Sequence, residues 1–437
     1  MNTPLRGGSD THRAFAAVTG LTLIIGLAAC GGGGGGGDGP GSQELDLVIG
    51  NSLPLSGSSK ALGDSGRKAS EVALAQIEQA IDATGSDHNV RVVNEDEGTD
   101  PDAAVDSARK LVDGERASCL TGPWSSAGVA AVAHDIAIPA EVLEISPVAT
   151  GDDVADLSDH DLVDSTALPV SAEGAALADA IERALGGVEG HTVNVAASTD
   201  PSSDTLSRDF IEAWQEEDGT VGSQVALAPP PLTQASQITG NGPDAVLLVD
   251  DPTGFAQLAP ALQISSGWDA PTAWGSDQLV SPGLPEEVGT GAVEGMRALA
   301  PGAPSADEAS SAFVDEFNSA SPRRVEMAPF AAQGFDATIL CYLAAVAAGS
   351  ADGQEMADEL IDITAPGGTE YSWRQLPAAI TALEDGEDID YTGASGPVDM
   401  DVHGNPTKGV FDVYQYSAGA LKEVGEVAVE KPNPAMP

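Results

Sequence analysis

From Leu45 to about Gln415, short apolar runs alternate with longer stretches whose apolar residues recur at helical spacing. Leu45 to Asn51 (LDLVIGN) reads as a buried strand, closed by the turn Pro54-Leu55-Ser56-Gly57. A helix follows from about Gly63 to Ile81, with Val72, Leu74, Ile77 and Ile81 near one face. Val90 to Asn94 is the next strand, and Asp100-Pro101-Asp102 caps and starts a helix through Leu111. Ser118 to Leu120 is again a strand. It runs into the turn Gly122-Pro123-Trp124-Ser125-Ser126, an Ala/Val-rich helix, and an apolar run from Glu141 to Ile145 that ends in Ser146-Pro147-Val148-Ala149-Thr150. This alternation predicts a parallel sheet covered on both faces by helices.

The alternation then restarts. Thr166 to Val170 reads as a crossing, followed by helix Glu173 to Leu185, strand Thr192 to Ala197 and helix Thr205 to Glu216. Strand Ala245 to Val249, helix Gly254 to Ile264 and strand Pro271 to Trp274 complete a second α/β unit. Gly291 to Pro301 reads as a return crossing. Helices Ala306 to Asn318 and Phe330 to Ala348 follow, the latter Ala-rich enough to be expected against a sheet. Residues 392–417 read as two strands around a Gly-Asn-Pro turn, and a polar tail rich in Pro and Lys closes the chain.

The N-terminus changes the picture of where this body sits. Arg6, His12 and Arg13 precede an apolar stretch, Ala14 to Ala29, that is short for a membrane span. It ends in Leu27-Ala28-Ala29-Cys30, which resembles a bacterial lipobox, with Cys30 as the residue to be lipidated. Gly31 to Gly37 and Asp38 to Ser42 then form a flexible tether. The expectation is a lipid-anchored body in the cell envelope, outside the cytoplasm, too long for one core.

Charge excludes some partners. The chain has 68 acidic and 18 basic residues, a net charge of −50. Nucleic acid and anionic bilayers would be repelled, so the membrane is expected to be met through the anchor alone. A solvated acidic surface accounts for most of this charge.

Catalytic motifs are missing. Gly63-Asp64-Ser65-Gly66 resembles a protease nucleophile loop but stands at a helix start in an α/β setting. There is no Gly-x-Ser-x-Gly elbow, Walker loop, dinucleotide-binding turn or zinc-ligand spacing, and no cofactor or metal is expected. Asp399 to Gly404 begins like a calcium loop, but Val410 stands where the closing Glu belongs, so a turn is expected. The acidic run Asn94 to Glu97 could bind a cation, but a solvated strand end or helix-cap region is the better reading. Cys119 and Cys341 are a candidate disulfide outside the cytoplasm.

What remains is binding. Two hydroxyl-bearing turns, Trp124-Ser125-Ser126 and Val148-Ala149-Thr150, bracket one helix and stand at successive strand ends. Ser56 stands at an earlier one. In an open α/β sheet, ligands bind beyond the carboxyl ends of the strands, and helix N-terminal N–H groups suit an anionic group such as a carboxylate.

The same stretch resembles the substrate-binding proteins of branched-chain amino-acid ABC transporters, the periplasmic binding protein type 1 family. Gly122 to Ala127 is similar to the family's Gly-x-x-Ser-Ser turn, and Ile145 to Thr150 to its Ile-Ser-Pro-x-x-Thr segment. Pro54 to Gly57 with Gly63, Gly334-Phe335-Asp336-Ala337, and the closing hairpin Gly396 to Gln415 match further family segments. The resemblance implies an α/β fold of two doubly wound parallel-sheet lobes joined by three crossings, closing on a ligand. Its implied divisions are a signal peptide (1–29), a tether (30–43), lobe one (44–168 and 293–394), and lobe two (169–292, with 395–437 returning to it). Ser126 and Thr150 would bind the ligand carboxylate, assisted by Ser125 and by backbone at Trp124 and Val148. Asp277 would take the α-ammonium, while Ser202 and Asp250 stand where the family usually offers aromatic side chains. The implied protein is a monomeric, non-enzymatic solute receptor that delivers an amino-acid-like molecule to an ABC permease. A ligand sensor without transport and an extracellular hydrolase are the competing readings, and acid in the second lobe points towards a cationic or polyhydroxyl ligand.

Overall fold

The computed structural model describes residues 44–430, apart from 58, 99, 152, 153, 155, 156, 229, 230 and 321–324. The leader, Cys30 and the glycine tether lie outside the described residues. Contacts divide the chain into residues 1–41 and 42–437, and every described residue belongs to the second unit.

Five parallel strands form the first sheet: β1 (Leu45–Leu53), β2 (His88–Asp96), β3 (Cys119–Thr121), β4 (Leu143–Ser146) and β5 (Val163–Ser165), in the order β2-β1-β3-β4-β5. The apolar runs form strands because both sheet faces are covered. Leu47, Ile49 and Ile145 pack with one layer of helices, and Val48 and Leu120 with the other. The covering helices include α1 (Lys60–Thr84), α2 (Pro101–Arg109) and α3 (Ser126–Val132), the last running on through a π turn to Ala140. Asp100 caps α2 by accepting the N–H groups of Asp102 and Ala103, with Pro101 in the first turn, as its sequence predicts.

The second sheet contains β6 (Thr192–Ala197), β7 (Thr220–Ala226), β8 (Ala245–Val249), β9 (Ala273–Gly275) and β10 (Arg297–Pro301). Their order β10-β9-β8-β6-β7 repeats the winding of the first sheet. In chain order come the short parallel pair β11 (Thr369–Ser372) and β12 (Ile389–Thr392), then β13 (Lys408–Ser417) and β14 (Ala420–Glu430). The last two extend the second sheet from β10 as antiparallel strands.

Two readings of the sequence need correction. Gly291 to Pro301 is not a return crossing: Arg297–Pro301 pairs with β9 and β13, and the chain leaves the second sheet only after it. The closing hairpin is not the pair around Gly-Asn-Pro. That turn lies in an irregular connection, and the paired strands are β13 and β14, turning at Ala418-Gly419. β14 was hidden because most of it is exposed, so its charged residues dilute the alternation. β7, also mostly exposed, escaped notice for the same reason.

The helix Ala331–Ala348 is the spine of the first lobe. Its 18 residues, mean hydropathy 1.4, would suit a membrane span, but 89% of them are buried, packed on α1, β1, β3 and β4. Near its N-terminus, Gln333 and Asp336 bond to all three connections between the sheets. Thr166, on the first, donates to the carbonyl of Gln333 at 2.9 Å. Gln333 Nε2 donates to the carbonyl of Gly302, on the second, at 2.8 Å. Asp336 accepts the N–H groups of Ala394 and Ser395, on the third, at 2.7 and 2.8 Å, and also the Ser395 and Tyr391 hydroxyls.

Further along the same helix, Cys341 is bonded to Cys119 of β3, with Cα atoms 5.9 Å apart and a sequence separation of 222. Closing so long a loop restricts the unfolded chain. Replacing Cys341 by Ser is expected to lower unfolding free energy by about 2–4 kcal/mol. Denaturant titrations of the two proteins, with and without reductant, check this, and reductant should affect only the parent.

Candidate functional site

The winding order of each sheet reverses at one point, between β1 and β3 in the first and between β6 and β8 in the second. A crevice opens at such a point beyond the carboxyl ends of the strands. The predicted turns lie there.

At the first sheet, Gly122 has φ +92°, and a Cβ on it would stand 2.3 Å from the carbonyl of Ser52, so only glycine lets the chain turn off β3 here. The turn that follows is clamped from two sides. Ser146 donates its hydroxyl to the carbonyl of Pro123 at 2.9 Å, and the N–H of Trp124 donates to Glu97 Oε1 at 2.9 Å. The Trp124 ring fills the space over Gly66, where a Cβ would come within 2.2 Å of it.

The two serines divide the work. Ser125 is the cap of α3, its hydroxyl accepting the N–H of Gly128 at 3.1 Å. The Ser126 hydroxyl instead accepts the N–H of Gly151 at 3.3 Å, which ties the first turn to the residue after Thr150. Val148 packs beside Trp124.

Across the cleft, Thr150 donates its hydroxyl to Asp277 Oδ2 at 3.2 Å. Thr150 follows β4 of the first lobe and Asp277 follows β9 of the second, so two predicted ligand residues meet directly. Asp277 is fixed from behind, its N–H donating to Glu173 Oε1 at 2.8 Å and Gln278 N–H donating to its Oδ1 at 2.7 Å. Tyr416 of β13 steadies the next turn, donating to the carbonyl of Leu279 and accepting the N–H of Ser281. An apolar cluster drawn from both lobes adjoins the pair: Leu53, Trp124, Phe330, Val280, Ala300 and the partly buried Tyr414.

Asp250 is brought to the same edge of the second sheet. Leu248 pairs with Gly275, and the N–H of Ser276 reaches the carbonyl of Leu248, so Asp250 and Asp277 follow neighbouring strands in step. Ser202 is not brought to the Thr150–Asp277 pair by any hydrogen bond among the described residues. It is half-buried in the first turn of helix Pro201–Glu216, and the buried hydroxyl there belongs to Ser203, which bonds Ser198.

Several functional groups escape a reading of the sequence. Glu173 is fully buried on the second-lobe side, and its Oε2 has no hydrogen-bond partner. Its signal is a single acid inside the apolar run Val170 to Ala178. Glu97, taken for a solvated strand end, is also fully buried, with Oε2 unpartnered. Phe330 stands at φ +66°, a left-handed conformation costly for an aromatic residue.

Ser65 of the protease-like Gly-Asp-Ser-Gly is buried in α1 and accepts the N–H of Ala328 at 3.0 Å, a structural bond with no access for a substrate. In the calcium-like stretch, Asp401 Oδ1 accepts the N–H groups of His403 and Asn405, which makes it a turn. Among the described residues, no group of three or more His, Cys, Asp or Glu side chains is arranged to hold a metal ion.

Burial governs the electrostatics. It pushes the carboxyl of Asp277 up to about 6, Asp250 to about 7 and Glu97 to about 8, and raises Glu173 well above its usual range. Asp412, buried under Gly302, is likewise pushed up to about 8. Each of these folded-state values exceeds the ordinary 3.8 or 4.5, so the folded protein keeps protons that the unfolded chain releases. Stability from these groups is therefore greatest below about pH 4, falls as pH rises through the window to about 8, and then levels off. Denaturant midpoints are expected to be higher at about pH 5 than at about pH 8. A midpoint that rises with pH across this window would contradict the burial of these carboxyls.

The likeness to known proteins agrees with this geometry. Residues 46–419 match the family model for periplasmic binding proteins. No protein of curated function matches the chain. Among solved structures, a leucine-binding protein from Thermotoga maritima shares 22% identity at a TM-score of 0.66, covering 89% of this chain and 100% of that one. The branched-chain amino-acid substrate-binding protein of Streptococcus pneumoniae, in complex with isoleucine, shares 19% at 0.65, covering 88% and 99%. A solute-binding protein of an ABC transporter from R. palustris, in complex with 4-hydroxybenzoate, shares 17% at 0.66, covering 89% and 98%. At these identities the structures speak for the fold, and the family model spans most of the sequence: the chain belongs to the periplasmic binding protein family and has its type I fold.

Proposed function

We propose that this protein is the solute receptor of an ABC importer, held outside the cytoplasm by a lipid on Cys30. It captures an amino acid or a similar small polar metabolite between its lobes and presents the closed form to a permease. The observation that carries this reading is the Thr150–Asp277 hydrogen bond across the cleft. It joins a hydroxyl suited to a carboxylate with an acid suited to an ammonium, on opposite lobes, at the edge where α/β sheets bind ligands.

In this reading the solute carboxylate docks first on the first lobe. The hydroxyls of Ser126 and Thr150 donate to it, and backbone N–H groups near Trp124 and Val148 assist. The second lobe then swings in and Asp277 takes the ammonium. Thr150 and Asp277 must part to admit the solute between them, which is the work of the three crossings pinned on Gln333 and Asp336. No covalent bond changes, so no nucleophile or general acid is called for. A sensor that reports the same solute without transport would use the same cleft.

A second reading has an aromatic acid as the solute. It draws support from the apolar cluster of Trp124, Phe330 and Tyr414 beside the carboxylate-holding turns, and from the 4-hydroxybenzoate complex of the R. palustris relative. Mass spectrometry of small molecules released on denaturing the purified protein separates these readings. With the released molecule as titrant, Ser126→Ala and Thr150→Ala should each weaken binding by about 1–3 kcal/mol, the scale for a charged group short of one hydrogen bond. Parental affinity in both variants would remove these residues from the site.

A further inference from the structure

Taking the cleft as the solute site, as above, we infer that its solute is an amino acid with a second cationic nitrogen, a diamino or guanidino acid. The second charge would be held by the acidic wall of the second lobe, Glu173, Asp277 and Asp250.

The wall is built from the sheet upward. Asp250 and Asp277 follow β8 and β9 in step, and Asp250 lies at the reversal point between β6 and β8. Both are buried. Asp200, the cap of helix Pro201–Glu216, and Asp251, the cap of helix Pro252–Ile264, flank Asp250. Behind Asp277 stands Glu173, which spends one oxygen on the Asp277 N–H and leaves the other buried and unpartnered. Every ion pair of the described residues lies elsewhere, and none includes Asp200, Asp250, Asp277 or Glu173.

Carboxyl groups are rarely buried without a cation or a full set of donors. Asp336 in the same protein shows the alternative, with four donors around it. Glu173 has one donor and Asp250 has only the N–H of Asp251, at 3.0 Å. The first-lobe half of the cleft offers neutral hydroxyls. A zwitterion such as leucine brings a single ammonium, which Asp277 consumes, and leaves Asp250 and Glu173 as they were. An aromatic acid brings no positive charge at all. A second cationic nitrogen beside them would draw off the proton that burial keeps on the remaining acids, and is the ligand feature that answers them.

Titration calorimetry of the ligand-stripped protein with L-lysine, L-arginine, L-leucine and 4-hydroxybenzoate tests this. Lysine or arginine should bind at least tenfold tighter than leucine, with 4-hydroxybenzoate the weakest. Asp250→Asn should weaken the cationic amino acids about tenfold and leave leucine within twofold. Glu173→Gln, which keeps the oxygen that accepts the Asp277 N–H, should narrow the same preference, and it serves if the Asp250 variant does not fold. Leucine binding as tightly as lysine and arginine, or an unchanged preference in a folded variant, overturns the inference. If leucine or 4-hydroxybenzoate is then lost on Ser126→Ala and Thr150→Ala, the cleft reading stands without it. If none of the four binds, the inference falls, while the cleft reading is decided by whether the molecule released on denaturation loses affinity on Ser126→Ala and Thr150→Ala.

Discussion

The arrangement rests on one turn of buried helix. Gln333 and Asp336 are buried polar groups near the start of a mostly apolar helix, and a buried polar group must find partners or destabilise the fold. Their partners are the three segments that pass between the sheets. The requirement to satisfy these few groups therefore fixes where the connections leave the first lobe. The position of Asp277 opposite Thr150 follows from that geometry.

Parallel winding supplies the second constraint. All strands of a parallel sheet end on the same edge, so the residues just past β3, β4, β8 and β9 converge although they lie far apart in sequence. Short polar turns at that edge are kept in shape by local bonds, the Ser125 cap and the Ser146 clamp among them. At the same edge the Ser126 hydroxyl holds the N–H of Gly151 and the Thr150 hydroxyl reaches Asp277 of the second lobe. On the facing lobe the acids lack such satisfaction. A negative net charge is commonly a matter of surface and solubility. Here part of the acid has been drawn inside, where burial keeps protons on carboxyls that would be ionised at the surface.

Much of this was legible in the sequence, for a definite reason. Strands such as Leu45 to Asn51 and Ala245 to Val249 are buried on both faces and read as uninterrupted apolar runs, and helix ends such as Asp100-Pro101 carry their own caps. The Trp124 and Thr150 turns were visible because small hydroxyl residues recur at strand ends. β7 and β14 were not, because mostly exposed strands carry polar residues on both sides. Ser202 and Ser203 are adjacent in sequence, and only packing shows that Ser203 is the inward one. Glu97 and Glu173 were missed for a deeper reason. An acid in an acidic chain looks like surface until its surroundings are known.

The bond between Cys119 and Cys341 has a topological consequence. The strand that leads into the Trp124 turn and the helix that pins the crossings are joined covalently, and the first sheet's passage to the second lobe and back lies within the loop so closed. A protease that cuts an exposed connection of the second lobe, anywhere from β6 to β10, would leave two fragments still linked. Such nicked protein would migrate as one chain until reduced, and could keep both walls of its cleft in place.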